Sequence, residues 1–350
     1  MNRASQTPNI QALVTRSLGL ALSLTIVGIT LLSILSSRGW SRVLELASSF
    51  KLQYLLISLI LTGLIAFTRQ KRLLLLACLC LGINAMEILP WYLPSRVEAR
   101  GASELRILLA NVNTQNKSYD QVLSWVRREQ PDVAVFIETS VAWVKQLNGL
   151  TDLLPYSFSR FKERNLGIAI FSKVPLERPS INWFEAEKNP GPSVVANLRL
   201  QEQTLALIAT HPLPPISPDF FQDRNRQLQA IAQYVRQLKT PVLLLGDLNL
   251  TMWSPYYRKF IGETGLRNAR QGFGVLPSWP SVTTYPQVPA LLSSLLRIPI
   301  DHCLLSPNLG VKTLRIGPEV GSDHLPLLIN LLIPQAPPKQ SDTGALNVIL

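Results

Sequence analysis

The sequence predicts a layered α/β or α+β domain that follows three membrane-spanning helices. The first observation behind this prediction is a sharp change of composition near residue 95, where an apolar, lipid-like part gives way to an ordinary globular part. The second is the order of predicted elements in the globular part, where some strands are followed by helices and others by strands. That mixture favours a layered domain over a helix bundle or a pure β-sandwich, and roughly 230 residues are enough to fill its core.

Three apolar segments in the first part, at 18–35, 52–67 and 73–93, predict three helices that cross a membrane. Each approaches or reaches the roughly 20 residues that a transmembrane helix needs, and none carries a charge at its centre. We therefore interpret residues 1–95 as a multi-pass integral membrane anchor and residues 96–104 as a linker. A cleaved signal peptide is the alternative for the first segment, but its apolar core exceeds the usual length of about 7 to 15 residues.

Glu87 lies in the last third of the third segment, ahead of Pro90, Trp91 and Tyr92. This order is typical of the end of a span with aromatic residues at the membrane interface. We therefore do not expect Glu87 to act as a proton site inside the membrane.

With three spans, the two ends of the chain lie on opposite sides of the membrane. The short basic loop 69–72 favours the cytoplasmic side by the positive-inside tendency, which predicts an extracytoplasmic position for the soluble domain. The full count of flanking cations weakens this prediction, with five on the side of the loop and six on the other side.

The net charge of +12 is divided unevenly along the chain. Residues 1–100 hold ten Lys and Arg against three Asp and Glu, giving +7, and the remainder holds 24 against 19, giving +5. More than half of the excess therefore belongs to the flanks of the spans. A soluble domain of charge +5 neither requires nor excludes a polyanionic substrate.

Apolar runs bounded by turn signals predict eight strands in the soluble domain, which we place at 105–333. Residues 334–350 show little periodicity, and we expect a disordered tail there. The predicted strands are 105–110, 133–137, 166–171, 194–200, 205–210, 242–245, 300–305 and 327–332.

Two helices have recognisable starts. Ser118 can cap a helix that Pro131 ends, and Ser217 with Pro218 begins a longer one. Apolar positions on the longer helix recur every three or four residues, apart from one gap of seven that follows Phe221.

Polar side chains stand with unusual regularity at the ends of the predicted strands. Buried strands do not need them there, and ligands gather where a rigid sheet aims side chains into one crevice. Carboxylate and amide oxygens are hard ligands that suit Mg²⁺ or Mn²⁺, which favours hydrolysis at phosphorus. The residues are Asn111, Asn113, Glu138, His211, Asp247, Asn249, Asp301, Asp323 and His324.

Seven motifs along the soluble domain resemble those of the endonuclease/exonuclease/phosphatase superfamily, the deoxyribonuclease I-like and exonuclease III-like proteins. A single GDxN or SDH would arise often by chance, whereas seven in the family's order are specific. The resemblance implies a four-layer sandwich in which two packed β-sheets are flanked by helices. The motifs are LLANVN (108–113), PDVAVFIE (131–138), GIAIFSKVPL (167–176), ATHPLP (209–214), LLGDLN (244–249), IDHCLLS (300–306) and GSDHLP (321–326).

The resemblance also implies a role for each polar residue. Glu138 is the principal metal ligand, Asn111 assists it, and Asp323 lies beside the metal. Asp247 orients or activates the attacking water, and Asn249 holds that water with the phosphate. His324, polarised by Asp301, contacts the scissile phosphate, and His211 binds the phosphate from the opposite side.

Two positions depart from the family's pattern. Asn113 stands where several nucleases carry an acidic residue, so a second metal site is doubtful. His302 stands where many relatives carry an aromatic residue, and we interpret it as a packing residue. Cys303, which two leucines follow, is expected to be a small buried residue.

Structural alternatives exist for single residues. Glu138 could cap the next helix, and Asp247 with Asn249 could form a turn. Arg224 and Arg226 lie on the long helix, where a solvated charged face is the more usual interpretation than phosphate binding. Trp253 could border the cleft or pack in the core.

The substrate is not fixed by these motifs, because the loops between them select it. The connection 271–296 is the expected selector. It contains no Lys or Arg and lacks the basic, aromatic-interleaved character of a nucleic-acid groove. Nucleic acid, a lipid head group near the bilayer and another phosphodiester all stay open.

The rival hypothesis is a catalytically inert membrane receptor or scaffold that keeps the fold and binds a phosphorylated ligand. The presence of all the motif residues argues against it. A transporter is disfavoured, because the three spans carry no charge at their centres and offer no evident pathway.

Overall fold

The structure, a computed structural model, describes residues 10–94, 102–160, 165–184, 191–200 and 203–334. Of the predicted linker only residues 102–104 are described, and the first strand already begins at Ser103; of the predicted tail only residue 334 is described.

The N-terminal part is a bundle of helices. Three stretches of this part, Ile10–Ser36, Arg42–Phe67 and Lys71–Tyr92, are long and apolar enough to cross a membrane, as the sequence predicts. The second stretch begins with a separate short helix that the apolar pattern did not reveal, and Ser41 caps it by accepting the Leu44 N–H. The helices are α1 (Ile10–Ser36), α2 (Arg42–Ala47), α3 (Lys51–Phe67) and α4 (Lys71–Ile88).

Polar side chains join the three long helices inside the bundle. The Asn84 Nδ2 of α4 donates to Thr30 Oγ1 of α1 at 3.0 Å and to Ser58 Oγ of α3 at 3.1 Å. Lys51, at the start of α3, donates to the carbonyl of Ser33 in α1. Hydrogen bonds of this kind between polar side chains hold neighbouring helices together.

The domain that follows contains two six-stranded sheets. The first has the order β11-β12-β1-β2-β4-β3, and the second has the order β5-β6-β7-β8-β10-β9. The strands are β1 (Ser103–Asn111), β2 (Val133–Ile137), β3 (Tyr156–Arg160), β4 (Ile168–Ser172), β5 (Leu176–Asn182), β6 (Ser193–Leu200), β7 (Gln203–Thr210), β8 (Val242–Asp247), β9 (Arg267–Asn268), β10 (Asp301–Leu305), β11 (Gly310–Ile316) and β12 (Leu327–Ile333).

Helices cover the outer face of each sheet, so the four-layer sandwich is confirmed. The inner faces meet in one apolar core, where Ile107 and Leu109 of β1 pack with Leu243 and Leu245 of β8. Two further apolar clusters lie between the sheets and their helices. The helices are α5 (Tyr119–Glu129), α6 (Val141–Leu147), α7 (Pro218–Gln237), α8 (Pro255–Thr264) and α9 (Ala290–Leu295).

The two predicted helix starts have different outcomes. Ser217 caps α7 by accepting the Phe220 N–H at 3.2 Å, as expected. Ser118 occupies the N-cap position of α5, but its side chain makes no capping bond, so that part of the prediction is wrong. Its backbone N–H instead donates to the Asn116 side chain.

The bundle packs directly against the domain. Ile88 at the end of α4 belongs to the apolar cluster under α7 and α8, and Leu52 and Leu55 of α3 pack against that cluster. The carbonyl of Trp91 accepts the backbone N–H groups of both Gly272 (2.9 Å) and Gly274 (3.0 Å). The end of the third apolar stretch is therefore a contact with the domain, and the membrane interface that we expected there stays a prediction.

Candidate active site

The predicted polar residues converge because the strands that carry them end, or begin, at one edge of the sandwich. β1 runs parallel to β2, and β7 runs parallel to β8, so their carboxyl ends share that edge. β10 and β12 run antiparallel to their neighbours and start there. The result is a cleft of about 540 Å³ whose lining includes Glu138, His211, Asp247, Asn249, Asp323 and His324.

His324 and Asp301 form a buried pair at this edge. His324 Nδ1 lies 2.9 Å from Asp301 Oδ2, and both side chains are almost fully buried. Burial alone would lower the pKa of His324, but Asp301 raises it to about 10. His324 in turn holds the pKa of Asp301 below its usual value, although burial opposes this. The pair is therefore an imidazolium and a carboxylate at neutral pH.

Asp247 lies between two imidazoles. Its Oδ2 is 3.6 Å from the Nε2 of His324 and 3.6 Å from the Nε2 of His211, while its Oδ1 accepts the Asn249 N–H at 2.8 Å. Burial raises the pKa of the Asp247 carboxyl well above its usual value. A carboxylate with a raised pKa is a better proton acceptor near neutral pH than an exposed aspartate.

The loop after β8 sets the geometry around Asp247. Asn249 adopts a left-handed backbone (φ 51°), which asparagine tolerates better than most residues. Its Nδ2 lies 3.2 Å from His211 Nε2 and donates to the Pro212 carbonyl at 2.9 Å. Gly246 is required by the close approach of β7, since a Cβ there would lie 1.8 Å from the carbonyl oxygen of Thr210.

His211 is buried and neutral. Burial is the main cause that lowers its pKa, to about 4, and the nearby positive charge of His324 acts in the same direction. Its Nδ1 has no hydrogen-bond partner among the described residues.

Glu138 is held in an unusual state. Its backbone is left-handed (φ 58°), which is rare and unfavourable for glutamate. Burial raises the pKa of the carboxyl to about 7, and its Oε1 accepts the Asn111 Nδ2 at 3.0 Å. It does not cap α6, since Ser140 occupies that position. The capping alternative is therefore wrong.

Asp323 completes the arrangement on the far side of Asn111. Its Oδ1 accepts the Asn113 Nδ2 at 2.8 Å, and its Oδ2 lies 3.4 Å from the indole nitrogen of Trp279. Asn113 also has a left-handed backbone (φ 57°) and donates its N–H to Asn111 Oδ1 at 3.1 Å.

The donor set fits a divalent cation. Glu138, His211 and Asp247 each offer a ligand atom within 4.8 Å of the others. Asp323 adds a further carboxylate at the cleft, and Asp301 is already paired with His324. Four carboxyl groups crowd around one imidazolium, and a cation among these oxygen donors would favour the ionised form of Glu138 and Asp247, whose pKa values burial raises.

Several residues of the site escaped the sequence analysis. Trp279 and Ile298 line the cleft, and Arg42 lines it from α2 in the N-terminal bundle. Arg270 is fully buried and donates to the carbonyl of Asp301. Trp279 lies in the connection 271–296 that we expected to select the substrate, so its aromatic ring was the one available signal.

Arg224 does not lie on a solvated face, and that prediction is wrong. Its side chain is fully buried, with Nη2 at 3.2 Å from Glu45 Oε1 of α2 and Nη1 donating to the Asn249 carbonyl at 2.8 Å. It occupies the gap of seven in the apolar pattern of α7. Arg226, by contrast, donates a hydrogen bond to the Gln222 side chain one turn away at 3.1 Å.

Three residues near the site pack in the interior of the domain. His302 is fully buried and contacts Asn268 and the Leu250 carbonyl, as expected of a packing residue. Cys303 is fully buried too. Trp253 packs in the core, and its indole N–H donates to the Glu87 carbonyl at 2.9 Å.

Fold and site together define a two-sheet sandwich with a buried acid and histidine centre suited to phosphate and a divalent cation. The sequence model of the Endonuclease/Exonuclease/phosphatase family matches residues 108–324, more than half of the chain. The chain belongs to that family. No curated protein sequence matches it.

Solved structures share the fold at low sequence identity. TDP2 from D. rerio, complexed with a single-strand DNA product, is 18% identical with a TM-score of 0.54, over 65% of this chain and 99% of that one. An endonuclease/exonuclease/phosphatase from Beutenbergia cavernae is 19% identical with a TM-score of 0.54, over 67% and 72%. The human Nocturnin catalytic domain, with a bound sulfate anion, is 18% identical with a TM-score of 0.51, over 65% and 94%.

Proposed function

We propose that this protein is a membrane-anchored, divalent-metal-dependent phosphoester hydrolase that activates water for attack on phosphorus. The observation that carries the proposal is the position of Asp247, a buried carboxylate within 3.6 Å of two histidines, one charged and one neutral. That arrangement brings a proton acceptor and a cationic hydrogen-bond donor to one point of the cleft.

Glu138 would be the principal ligand of the metal, with Asn111 and Asp323 beside it. All three offer oxygen atoms, which suits Mg²⁺ or Mn²⁺. A bound divalent cation supplies neutralisation of the phosphate oxygens and polarisation of the phosphorus centre. The raised pKa of Glu138 means that it is deprotonated only in part near neutral pH without a cation.

Asp247 orients the water and accepts its proton. The Asn249 N–H fixes one carboxylate oxygen, Oδ1, and leaves Oδ2 between the histidines. The Asn249 side chain, already within reach of His211, holds the water and a phosphate oxygen on that side.

His324 donates a hydrogen bond from its charged ring to a phosphoryl oxygen, where negative charge grows during the reaction. Asp301 fixes the ring through Nδ1, and this directs Nε2 towards Asn111 Nδ2 (3.3 Å) and Asp247 Oδ2 (3.6 Å), where the phosphate would bind. His211 binds the phosphate from the other side as a neutral ring, so that it adds no second positive charge beside His324.

The three long helices anchor the protein in a membrane as a multi-pass protein. Their ends next to the domain are the carboxyl end of α1, the amino end of α3 and the carboxyl end of α4. The loop 69–72 lies at the opposite end, and its basic residues favour the cytoplasm, which puts the domain outside it. The test is a reporter, fused after Ile333, that is active only in the cytoplasm. Activity of this reporter would show that the assigned orientation is wrong.

The test of the enzyme uses the purified full chain with a soluble phosphodiester such as bis-p-nitrophenyl phosphate. We expect turnover with Mg²⁺ or Mn²⁺, loss on chelation, and loss in Asp247→Asn and in His324→Gln. Asp152→Asn is the matched control, because this exposed carboxylate pairs with Arg127 on the surface. Binding of phosphate without turnover of any phosphoester would favour the inert receptor or scaffold instead.

A further inference from the structure

We propose that the substrate is a phospholipid that enters the cleft directly from the bilayer holding the N-terminal bundle. This inference rests on the proposed function and names its substrate class. Four features of the described residues support it: a wall of the cleft made by the bundle, an apolar lining, an exposed apolar rim, and a contact that ties this rim to a spanning helix.

The bundle itself builds one wall of the cleft. Arg42, Leu46 and Ser49 line it together with the catalytic residues on the opposite side. They belong to the segment between the end of α1 and the start of α3, where two spans reach the same side of the bundle. The mouth of the cleft therefore lies at the level where the chain leaves the bilayer.

Arg42 fixes this wall against the domain. Its Nη1 donates to the carbonyls of Pro215 and Ile216, both at 3.0 Å. These carbonyls belong to the loop that follows His211 and precedes α7. The wall is thus attached to the same loop that carries a phosphate-binding residue, which makes the membrane segment a part of the substrate site.

Outside its catalytic residues the cleft is mainly apolar. Leu46 from the bundle faces a lining that includes Pro214, Ile216, Ile298 and Ile300 from the domain. Arg42 is the one lysine or arginine among the described lining residues. A groove for single-stranded nucleic acid instead needs a row of cations along the backbone, with aromatic rings on which bases stack. One cation beside apolar walls suits a single phosphate attached to acyl chains.

The rim of the domain next to the bundle exposes large apolar side chains. On α9, Leu291 is 73% exposed, Leu292 is 51% exposed and Leu295 is 47% exposed. Apolar patches of this kind mark an interaction site on a soluble surface. A short helix with leucines facing outward is a common way for a protein to enter the boundary between head groups and acyl chains.

The position of α9 identifies the bilayer as its partner. Gln53 Nε2, in the first turn of α3, donates to the carbonyls of Leu295 and Arg297, both at 3.0 Å. α9 therefore lies against the point where a spanning helix enters the membrane. Trp40, just before α2, and Val43, within α2, are 70% and 69% exposed. They flank Arg42 in the sequence, and Arg42 lines the cleft, so the bundle also exposes apolar side chains close to it.

The reaction on such a lipid is hydrolysis of one phosphodiester bond. The water oxygen forms a bond to phosphorus as the bond from phosphorus to one ester oxygen breaks. Asp247 takes a proton from the attacking water, solvent water protonates the leaving oxygen to an alcohol, and Asp247 then returns its proton to the solvent. One product keeps the acyl chains and stays in the bilayer, and the other enters the water. No oxidant or further reactant is required.

The test uses the full chain reconstituted in phosphatidylcholine vesicles that contain sphingomyelin, phosphatidylglycerol or phosphatidylinositol phosphate, assayed for head-group release. A single-stranded oligonucleotide and bis-p-nitrophenyl phosphate are assayed with the same preparation. We expect one of the vesicle lipids to be turned over with a higher kcat/KM than either soluble substrate. Turnover of the oligonucleotide or the soluble diester with every lipid left intact would overturn the lipid assignment and leave the hydrolase standing.

The variant Leu291→Asn/Leu292→Asn/Leu295→Asn tests the route from the bilayer. We expect kcat/KM on the vesicle lipid to fall by about tenfold more than kcat/KM on the soluble diester, because lost apolar burial weakens only the membrane contact. Tyr156→Ser is the matched control, because Tyr156 is an exposed aromatic residue on the edge strand β3. This substitution should change kcat/KM neither on the vesicle lipid nor on the soluble diester. An equal loss of kcat/KM on both substrates would contradict the role of α9. If the full chain turned over no substrate at all, both the lipid assignment and the proposed hydrolase would be wrong.

Discussion

At the scale of single residues, the site holds side chains in states that cost stability. Glu138 combines a left-handed backbone with a buried carboxyl whose pKa is raised to about 7. A non-glycine residue held in this backbone region costs on the order of 1 to 3 kcal/mol, and the burial of its charge adds to that. Such strain persists only where the surrounding structure enforces it.

Glu138→Asn should therefore stabilise the metal-free protein while abolishing hydrolysis. Asparagine tolerates the left-handed backbone and carries no charge, so we expect the free energy of unfolding at pH 8 to rise by about 1 to 3 kcal/mol. Glu138→Gln removes only the charge and should lie between this variant and the wild type. Thermal melting of the full chain in the presence of a chelator gives the order of stability of the three proteins. A wild type more stable than both variants would show that Glu138 is not strained.

The same residue makes metal binding sensitive to pH. The folded protein holds the Glu138 proton more tightly than the unfolded chain, whose ordinary pKa is 4.5, so without metal the folded state loses stability as the pH rises through 4.5 to about 7. Protons compete with the metal below pH 7. The apparent Kd for Mn²⁺ should therefore rise by about tenfold between pH 8 and pH 6. Calorimetric titration tests this, and a Kd unchanged across that range would refute it.

The polar residues of the site were predictable because each stands at the end of an apolar strand within a motif. Arg224 was not, since its burial depends on Glu45, a residue of the bundle far away in the sequence. Its only trace was a gap in the apolar pattern of α7. Arg42 was missed because nothing local to it indicates a cleft, and the only sign of Trp279 was its aromatic ring within the connection 271–296.

At the scale of elements, the eight predicted strands are all present, and the four that were missed are the edges of the two sheets. They are β3 and β11 in one sheet and β5 and β9 in the other. An edge strand is covered on fewer sides, and β3, β5 and β11 are largely exposed or half-buried. Their sequences therefore lack the continuous apolar run by which buried strands are recognised.

The contact between α2 and α7 links the bundle to the catalytic loop. Glu45 Oε1 accepts the Ser254 hydroxyl at 2.7 Å and pairs with Arg224, which donates to the carbonyl of Asn249. Removal of one partner from a buried ion pair costs about 3 to 5 kcal/mol, because the other charge stays buried. Both the stability of the domain and the position of Asn249 should depend on this pair.

A double-mutant cycle separates these two effects. Glu45→Leu and Arg224→Leu should each lower the melting temperature strongly, and the double variant should recover much of it, since an apolar pair replaces the charges. The rate should not recover, because no side chain then holds the Asn249 carbonyl. Melting curves and kcat on bis-p-nitrophenyl phosphate measure the two effects. The control is Lys259→Leu/Glu263→Leu, a pair on α8 that is far more exposed than Glu45 and Arg224. Recovery of kcat in the double variant would exclude a positioning role.

At the scale of the whole molecule, the N-terminal bundle and the domain form one folded structure with a shared apolar cluster and a shared cleft. Ile88 lies in the cluster under α7 and α8, the Glu87 carbonyl accepts the Trp253 indole N–H, and Arg42 lines the cleft. The change in composition near residue 95 predicts two separate parts. It gives no sign of their contact, because the contact residues are scattered through both and none forms a motif.

The domain without its bundle should therefore be both unstable and poorly active. A chain that begins at residue 102 loses Glu45, so the Arg224 charge is buried without a carboxylate partner. This chain also exposes the apolar surface that Ile88 covers. We expect aggregation, or a kcat on a soluble diester at least about tenfold below that of the full chain. The matched control is a full chain with a protease site inserted between residues 96 and 100. After cleavage its two pieces should stay associated and keep their activity, and an isolated domain as stable and active as this control would show that the contacts are unimportant.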